Sequence, residues 1–143
     1  SLCIANPNIY YFSYVTSNTI LDSTSNRHVP DKNMSYIIRA NARLMGMKKA
    51  YYSDGSETDS TWFENDGIVN KKSMLGPTTG INGSDPISNY RINDILIPGQ
   101  WYVMGEYKSD HRKFVGHSLR KEEFEELIKI YVEHLLLLWT LPK

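Results

Sequence analysis

The chain has 143 residues, of which 41% are hydrophobic and 22% charged, a composition typical of a soluble globular domain with a modest core. Its 16 basic and 16 acidic residues cancel to a formal net charge of zero, so nothing points to a nucleic acid or an anionic membrane surface as partner. Cys3 is the single cysteine, which excludes an internal disulfide and a thiolate metal cluster.

The ends of the chain carry no targeting signal that we can identify. The first residues lack the basic flank and apolar stretch of a signal peptide, and the apolar run at residues 135–139 is far shorter than the ~20 residues of a membrane span. Because the chain lacks an initiator methionine and enters a strand pattern almost at once, we expect it to be cut from a longer polypeptide. Its compartment stays open, with secretion as one option; the glycosylation sequons at Asn33 and Asn82 matter only in a secreting eukaryote.

The first half of the chain predicts one strand and one helix. Residues 9–15 are rich in aromatic and β-branched side chains and follow a turn signal, which predicts a strand. Their nearly continuous apolar run is typical of an interior strand of a parallel sheet that is covered on both faces. Residues 17–29 are polar and predict a loop, whereas residues 34–47 have helical spacing that Gly46 interrupts near its end.

The second half predicts two further strands. Residues 51–60 are polar and predict a loop, and the glycine-rich residues 74–85 predict a long surface loop. Strands are predicted at residues 92–97 and 101–107. Pro98-Gly99 lies between them, as in a hairpin-like excursion or an approach to the sheet.

A last helix is predicted over residues 122–139. Acidic residues crowd its start, where the helix dipole favours negative charge, and Pro142 ends it. The apolar side chains at helical spacing are predicted to form one stripe that packs on a sheet; they are Phe124, Leu127, Ile128, Tyr131, Leu135 and Leu138. About three strands, a helical insertion and this helix predict part of an α/β layer fold, with no internal repeat or domain boundary. A parallel sheet of that size with a bare edge is a poor independent fold.

An acid and a histidine are the main candidates for chemistry. Asp66-Gly67 places a carboxylate at a tight turn, and its apolar neighbours predict partial burial at a strand end, aimed at a histidine. Asp54-Gly55 has the same dipeptide in a polar stretch and predicts a solvated loop. His111, in the motif Asp110-His111, follows a predicted strand on a loop, where catalytic and ordinary surface histidines both occur. An acid followed by a histidine matches the second and third parts of a serine triad in α/β-hydrolase order.

Other candidates are weaker. Ser118 lies in Gly116-His117-Ser118-Leu119-Arg120, which resembles a nucleophile elbow but lacks its final glycine, and it follows the acid and the histidine instead of preceding them. His134 is near the apolar stripe and predicts a structural role, while His28 and His117 have no clear context. The sequence has no His-x-x-x-His, cysteine pair or EF-hand loop. A local basic cluster predicts a solvated helix face; it consists of Arg39, Arg43, Lys48 and Lys49.

Three stretches of the sequence carry a family resemblance. They are residues 6–13, residues 62–77 around Trp62-Phe63-Glu64-Asn65-Asp66-Gly67-Ile68-Val69-Asn70, and residues 99–107 leading into Asp110-His111. The chain resembles the C-terminal portion of the bacterial lipases of the Staphylococcus–Geobacillus type (thermoalkalophilic triacylglycerol lipases) and their eukaryotic relatives. The resemblance runs in order from residue 6 to the final helix. It implies that residues 1–143 are the C-terminal segment of an α/β-hydrolase domain, whose N-terminal part would carry the nucleophile.

The resemblance also implies site residues and one departure from the family. Asp66 matches the triad acid and His111 the triad histidine. The family usually binds calcium through a carboxylate two residues after the histidine and an aspartate further along. Those positions hold Lys113 and, approximately, Ser118, so we expect the calcium site to be lost, with the lysine ammonium in its place, and we expect no cofactor.

The function implied is that of a lipase or carboxylesterase segment that supplies the acid and the histidine for hydrolysis of acylglycerol-type esters. Its expected partners are the N-terminal part of the same hydrolase and a lipid ester, and the isolated chain is expected to be inactive. The alternative is a non-catalytic binding module derived from a lipase, in which the ten tyrosines and three tryptophans would contact a lipid or glycan surface, or a truncated product without function. A hydrogen bond of ~2.6–3.2 Å between Asp66 and His111 would favour the first interpretation.

Overall fold

A three-stranded parallel sheet is the centre of the fold in the computed structural model, which describes residues 5–76 and 87–142. The strands are β1 (Tyr11–Ser17), β4 (Ile87–Asn89) and β5 (Trp101–Lys108), in the order β1-β5-β4. Cys3, the sequon at Asn82 and most of the predicted loop at residues 74–85 lie outside the described residues.

The strand β5, and not β1, is the central strand of this sheet. Both β1 and β4 run parallel to β5, and Tyr11 and Ile87 both pair with Trp101. The prediction of β1 as a strand is therefore confirmed, but its prediction as an interior strand is wrong for the described part of the chain. The aromatic and β-branched composition of β1 reflects the covering of its two faces, since an apolar run does not reveal how many strands lie beside it.

The segment predicted as a loop at residues 17–29 contains a hairpin instead. Its strands β2 (Thr19–Asp22) and β3 (Arg27–Pro30) pair antiparallel. The carboxylate of Asp22 accepts the backbone N–H of Thr24 at 3.0 Å, and Asn26 turns the chain at a φ of 53°. Two strands of four residues with mixed polarity are too short to show an alternating pattern, and this is why the prediction failed.

The strand predicted at residues 92–97 is also absent from the described structure. Asn93 adopts a φ of 74°, and the backbone N–H of Arg91 bonds to the Asp94 carboxylate at 2.8 Å, so this segment turns instead of extending. Ile92 and Ile95 are 82% and 89% exposed. The sheet takes its third strand from β4, which precedes this turn, whereas the prediction for residues 101–107 is confirmed as β5.

Short helices surround the end of the sheet. A 3-10 turn (Tyr36–Ile38) leads into α1 (Arg39–Met45), so the helical insertion is confirmed in a shorter form. Gly46 ends α1 where the chain passes so close to β3 that a Cβ would lie 1.9 Å from the His28 carbonyl oxygen. Residues Ser60–Trp62 form another 3-10 turn, and single helical turns follow at α2 (Lys71–Met74) and α3 (His111–Phe114).

The long helix α4 (Lys121–Thr140) confirms the last helix prediction but presents a different face from the one predicted. Only Leu127 of the predicted stripe is buried, while the other members are 40–63% exposed. His134 packs edge-on against Phe12 and Tyr14 of β1, with ring centroids 5.1 and 5.4 Å apart. Apolar side chains occur all around the second half of this helix, so their spacing does not determine which side faces the sheet.

Helices lie on both faces of β1. Phe12 and Tyr14 contact α4, whereas the hydroxyl of Ser13, which points to the opposite face, bonds to the backbone carbonyl of Met74 in α2. The predicted class, an α/β fold with few parallel strands and a final helix, is confirmed. Among the described helices, none has the length and apolar content that crossing a membrane would require.

Candidate functional site

Asp66 lies on a tight turn and is completely buried. The turn closes through a bridge between Asn65 and Asn70 and through a 3.1 Å bond from the Asp66 N–H to the Val69 carbonyl. One carboxylate oxygen, Oδ1, accepts the backbone N–H groups of Ile68 at 2.9 Å and Val69 at 2.8 Å. The carboxylate is thus part of the turn that carries it, and its burial is complete instead of partial as the sequence predicted.

Gly67 allows this turn to form. Its φ of +97° lies in the left-handed region that side chains disfavour, and a Cβ there would lie 2.6 Å from Cδ1 of Ile38. The turn therefore needs a glycine for its backbone conformation and for its packing on the turn before α1.

The side chain of Asn65 attaches the turn to the rest of the fold. Its side chain is fully buried and donates to the carbonyls of Phe63 at 2.8 Å and Ala42 at 3.1 Å. Its side-chain oxygen accepts the N–H of Gly67 at 2.9 Å. A buried amide needs partners for its donor and acceptor groups. These bonds of Asn65 therefore fix the position of the acid turn relative to α1.

His111 begins α3, shortly after β5 ends, and lies against Asp66. Its ring Nδ1 is 3.0 Å from Oδ2 of Asp66, and its backbone N–H donates to the Asp66 carbonyl at 3.0 Å. The His111 side chain is 38% exposed, whereas that of Asp66 is not exposed at all. The two residues that the sequence singled out are therefore brought together, with the imidazole between a buried carboxylate and solvent.

Thr16 of β1 completes the surroundings of the acid. Its hydroxyl donates to Oδ2 of Asp66 at 2.7 Å, the same oxygen that faces His111, and the residue is 3% exposed. The buried carboxylate thus has four partners, two on each oxygen, which compensate the loss of its hydration. Arrangements of this kind hold an imidazole in one orientation and one tautomer.

Ser118 and the other three histidines make no described hydrogen bond to this pair. Ser118 is exposed on a turn between α3 and α4, at a φ of 57°, and does not follow a strand of the described sheet. His117 is exposed as well. Burial lowers the pKa of both His28 and His134, which keeps these rings neutral and fits the structural role predicted for His134.

The residues at the family's calcium positions do not fit that ion. The ammonium of Lys113 lies 2.8 Å from Oε1 of Glu123, and Nη2 of Arg120 lies 3.2 Å from the same oxygen. The hydrogen bonds from Arg120 and Lys113 lower the pKa of Glu123 to about 2. Across residues 5–76 and 87–142 no group of three or more His, Cys, Asp or Glu side chains could hold a metal.

Comparison with known proteins relates the fold of the chain to solved structures of two lipases and of an Est protein. No family model matches the chain. Among solved structures it is similar to EstA from Clostridium botulinum (30% identity, TM-score 0.70, 87% of the chain), Staphylococcus hyicus lipase (25%, 0.65, 90%) and lipase 1 from Pelosinus fermentans (29%, 0.60, 90%). The chain is similar to part of a Staphylococcus-type lipase. It covers 29%, 32% and 34% of those three proteins, about a third of each.

The lipase resemblance that the sequence indicated is thereby confirmed, and the fold is lipase-related. The sequence singled out Asp66 and His111, which lie in contact, but it did not mark Thr16 and Asn65, which bond to the acid turn. Asn65 lies inside the motif that carried the resemblance, so its position in the sequence could have marked it as a site residue. Thr16 lies 50 residues before Asp66, and nothing in its local sequence marks it.

Proposed function

We propose that the chain is the C-terminal segment of a serine lipase or carboxylesterase and supplies the acid, Asp66, and the histidine, His111, for hydrolysis of acylglycerol-type esters. The nucleophilic serine and the oxyanion hole belong, in this proposal, to an N-terminal part of the same hydrolase. The relatives named above are lipases and an Est protein about three times the length of the segment they share with this chain.

The observation that carries the proposal is the 3.0 Å contact between Nδ1 of His111 and Oδ2 of Asp66. It lies inside the ~2.6–3.2 Å range expected of a base and the group that orients it. The acid is fully buried while the imidazole reaches solvent, so the ring has one edge held by the protein and one edge directed outward. A non-catalytic binding module would have no need of this arrangement.

The chemistry follows from which ring nitrogen is engaged. Because a carboxylate only accepts, we assign the ring proton to Nδ1, which leaves Nε2 as the acceptor that takes the proton of a serine hydroxyl when it attacks the ester carbonyl. The imidazolium that forms is stabilised by the Asp66 carboxylate and then protonates the leaving alcohol. Water repeats the sequence and releases the fatty acid from the acyl-enzyme.

The exposed surface of this segment supports the need for a further part of the protein. Leu135 and Leu136 of α4 are each 63% exposed, and Phe124 is 51% exposed. In the described sheet, β1 pairs on one edge only, with β5. Apolar helix surface and an open strand edge are usually covered in a stable fold, and the proposed N-terminal part would cover them.

Substitutions in the polypeptide that carries this segment test the assignment. Asp66→Asn is expected to lower kcat for ester hydrolysis by roughly 10⁴-fold and His111→Ala by roughly 10⁶-fold, as the loss of the acid and of the histidine do in other serine hydrolases. Asp54→Asn is the matched control for the acid, because Asp54 also precedes a glycine but is exposed. His117→Ala serves the same purpose for the histidine. Retained activity in both Asp66→Asn and His111→Ala would contradict the proposal.

A fluorophosphonate probe tests where the nucleophile lies. Labelling of a serine outside these 143 residues, with loss of labelling in His111→Ala, is the expected result. Labelling of Ser118 would contradict the proposal. Binding of lipid vesicles with no labelling of any serine would instead favour the non-catalytic module.

A further inference from the structure

Asp110 is a buried carboxylate that the proposed function leaves without a role. Its side chain is 0% exposed and directly precedes His111 in the chain. Oδ2 accepts two bonds from Ser35, one from its backbone N–H at 2.7 Å and one from its hydroxyl at 2.9 Å. Oδ1 accepts the backbone N–H of Lys113 at 3.0 Å. A carboxylate without solvent contact needs such donors, and here they come from Ser35 and from the turn that starts at His111.

These bonds tie together two segments that are far apart in the sequence. Lys113 belongs to α3, the single turn that starts at His111, whereas Ser35 precedes Asp110 by 75 residues and leads into the turn before α1. One turn of helix is not stable by itself, since its nucleation costs more than its few bonds return. The geometry of α3 therefore depends on its cap and on its attachment to the neighbouring segment.

The cap determines the direction of His111. Asp110 is extended, with φ −81° and ψ 159°, and its side chain closes the first turn of α3. This fixes the backbone at His111 and so the direction in which its side chain leaves the chain. The imidazole can then meet Asp66 without searching among orientations of a loose loop.

We propose that Asp110 is a positioning residue for His111: through Ser35 and Lys113 it holds α3 so that Nδ1 of the imidazole stays on Asp66 and Nε2 stays available. Its consequence for catalysis rests on the proposed function, whereas its consequence for the histidine tautomer does not. The role requires a carboxylate. Both oxygens face backbone N–H groups, so the amide of an asparagine would present its own N–H₂ to one of them.

The histidine tautomer gives a readout that does not require the nucleophile. With ¹⁵N-histidine labelling of the polypeptide that carries this segment, His111→Ala assigns the signal of interest. The unsubstituted chain is expected to show the proton on Nδ1. Asp110→Asn is expected to give a mixture in which the Nε2–H form is clearly populated. Ser35→Ala, which removes one of the three bonds, is expected to shift the population in the same direction but less, and it serves if Asp110→Asn does not fold.

Asp31→Asn is the matched control. Asp31 is 4% exposed and also accepts a backbone N–H, that of Asn33 at 2.8 Å, but it makes no described bond to α3 or to His111. It is expected to lower the melting temperature while the His111 tautomer stays unchanged. An equal tautomer shift in Asp31→Asn, or an unshifted tautomer in both Asp110→Asn and Ser35→Ala, would overturn the proposal.

Activity gives an independent second arm in the longer polypeptide. If Asp66 and His111 are catalytic, Asp110→Asn is expected to lower kcat at least tenfold with little change in KM, since positioning acts on the reaction and not on ester binding. A tautomer shift without any catalytic role for Asp66 and His111 would sink the proposed function and leave the positioning role intact. If Asp66→Asn and His111→Ala are inactive but Asp110→Asn changes neither the tautomer nor kcat, the proposed function stands and the positioning role is contradicted.

Discussion

Asp66 holds His111 at two points. Its backbone carbonyl accepts the His111 N–H at 3.0 Å, and its carboxylate Oδ2 faces the imidazole Nδ1 at the same distance. The main chain and the side chain of the histidine are thus attached to one residue. Any displacement of α3 from the acid turn must break both bonds, so the acid and the histidine behave as one rigid unit instead of two side chains that meet by chance.

Thr16 is predicted to contribute to this unit through its hydroxyl. Thr16→Val removes the 2.7 Å bond to Oδ2 of Asp66 at nearly constant volume. A bond to a charged group contributes ~1.5–3 kcal/mol, so kcat/KM for ester hydrolysis is expected to fall about 10- to 100-fold. Thr58→Val is the control, because Thr58 is also buried but its hydroxyl accepts the Ala50 N–H away from the site. The control is expected to lose stability and keep its activity; equal losses of activity in both variants would contradict the role of Thr16.

Gly67 and Gly55 allow backbone strain to be separated from packing. Both follow an aspartate and have positive φ, +97° and +83°, but a Cβ at Gly55 meets no atom within 4 Å while one at Gly67 meets Cδ1 of Ile38 at 2.6 Å. Gly55→Ala is expected to cost about 1–2 kcal/mol of unfolding free energy from its backbone alone. Gly67→Ala is expected to cost a further ~1–3 kcal/mol because Ile38 must move.

The added cost is predicted to be relieved by removing the obstructing methyl group. Ile38→Val takes away Cδ1, so the double variant Gly67→Ala with Ile38→Val is expected to be more stable than the sum of the two single changes predicts. Urea denaturation of the four proteins gives the coupling energy. Strict additivity would show that the turn accommodates a Cβ in some other way.

Asn65 is predicted to be essential for stability because of its amide group. Asn65→Asp has the same shape, but its carboxylate would face the carbonyls of Phe63 and Ala42 and lie beside the Asp66 turn. We expect a loss of roughly 3–5 kcal/mol at neutral pH, the scale of an uncompensated buried charge. Asn89→Asp, on the exposed surface of β4, should change stability by less than about 0.5 kcal/mol. Chemical denaturation compares the two, and similar small losses would contradict the buried role of Asn65.

Glu123 is predicted to give the fold an acid-sensitive contribution. The hydrogen bonds from Arg120 and Lys113 lower its pKa from 4.5 to about 2, so the folded state binds the proton more weakly than the unfolded state. The stabilisation is therefore complete above the unfolded pKa and is lost as the pH falls from about 4.5 toward 2. The melting temperatures of the unsubstituted protein and Glu123→Gln are expected to differ near neutral pH and to converge near pH 2.

The control for this pH dependence is Glu125→Gln. The side chain of Glu125 is 60% exposed and lies 3.9 Å from Lys121, so its ion pair contributes little at any pH. A pH-independent difference between the unsubstituted protein and Glu123→Gln would argue against charge as the source of the effect.

The sequence predicted the long-range outline of the site better than its local support. Asp66 and His111 could be found because the acid, the glycine and the histidine follow a motif with fixed chemistry. The bond from the Thr16 hydroxyl to Asp66 and the bonds from Ser35 to Asp110 could not, because these partners are 50 and 75 positions apart and only the folded chain brings them together. No local pattern encodes that kind of contact.

The secondary-structure errors have equally specific causes. Residues 17–29 hide a hairpin because strands of four residues show no periodicity, and residues 92–97 look like a strand although Asn93 turns the chain. The sequence predicted helix α4 but misplaced its buried side, because the leucines of the helix occur all around its second half. The sheet contact goes through His134, a residue that a hydrophobicity pattern does not favour.

The pairing of Tyr11 with Trp101 delays the assembly of the fold during synthesis. Strand β1 precedes its partner β5 by about 90 residues, an interval that takes several seconds to translate at roughly 5–20 residues per second. During that interval the edge of β1 that pairs with β5 stays open, and an open strand edge is prone to aggregation. Because α3 follows β5 in the sequence, the acid turn is also made before the histidine it holds, and the pair can form only after both β5 and His111 have been translated.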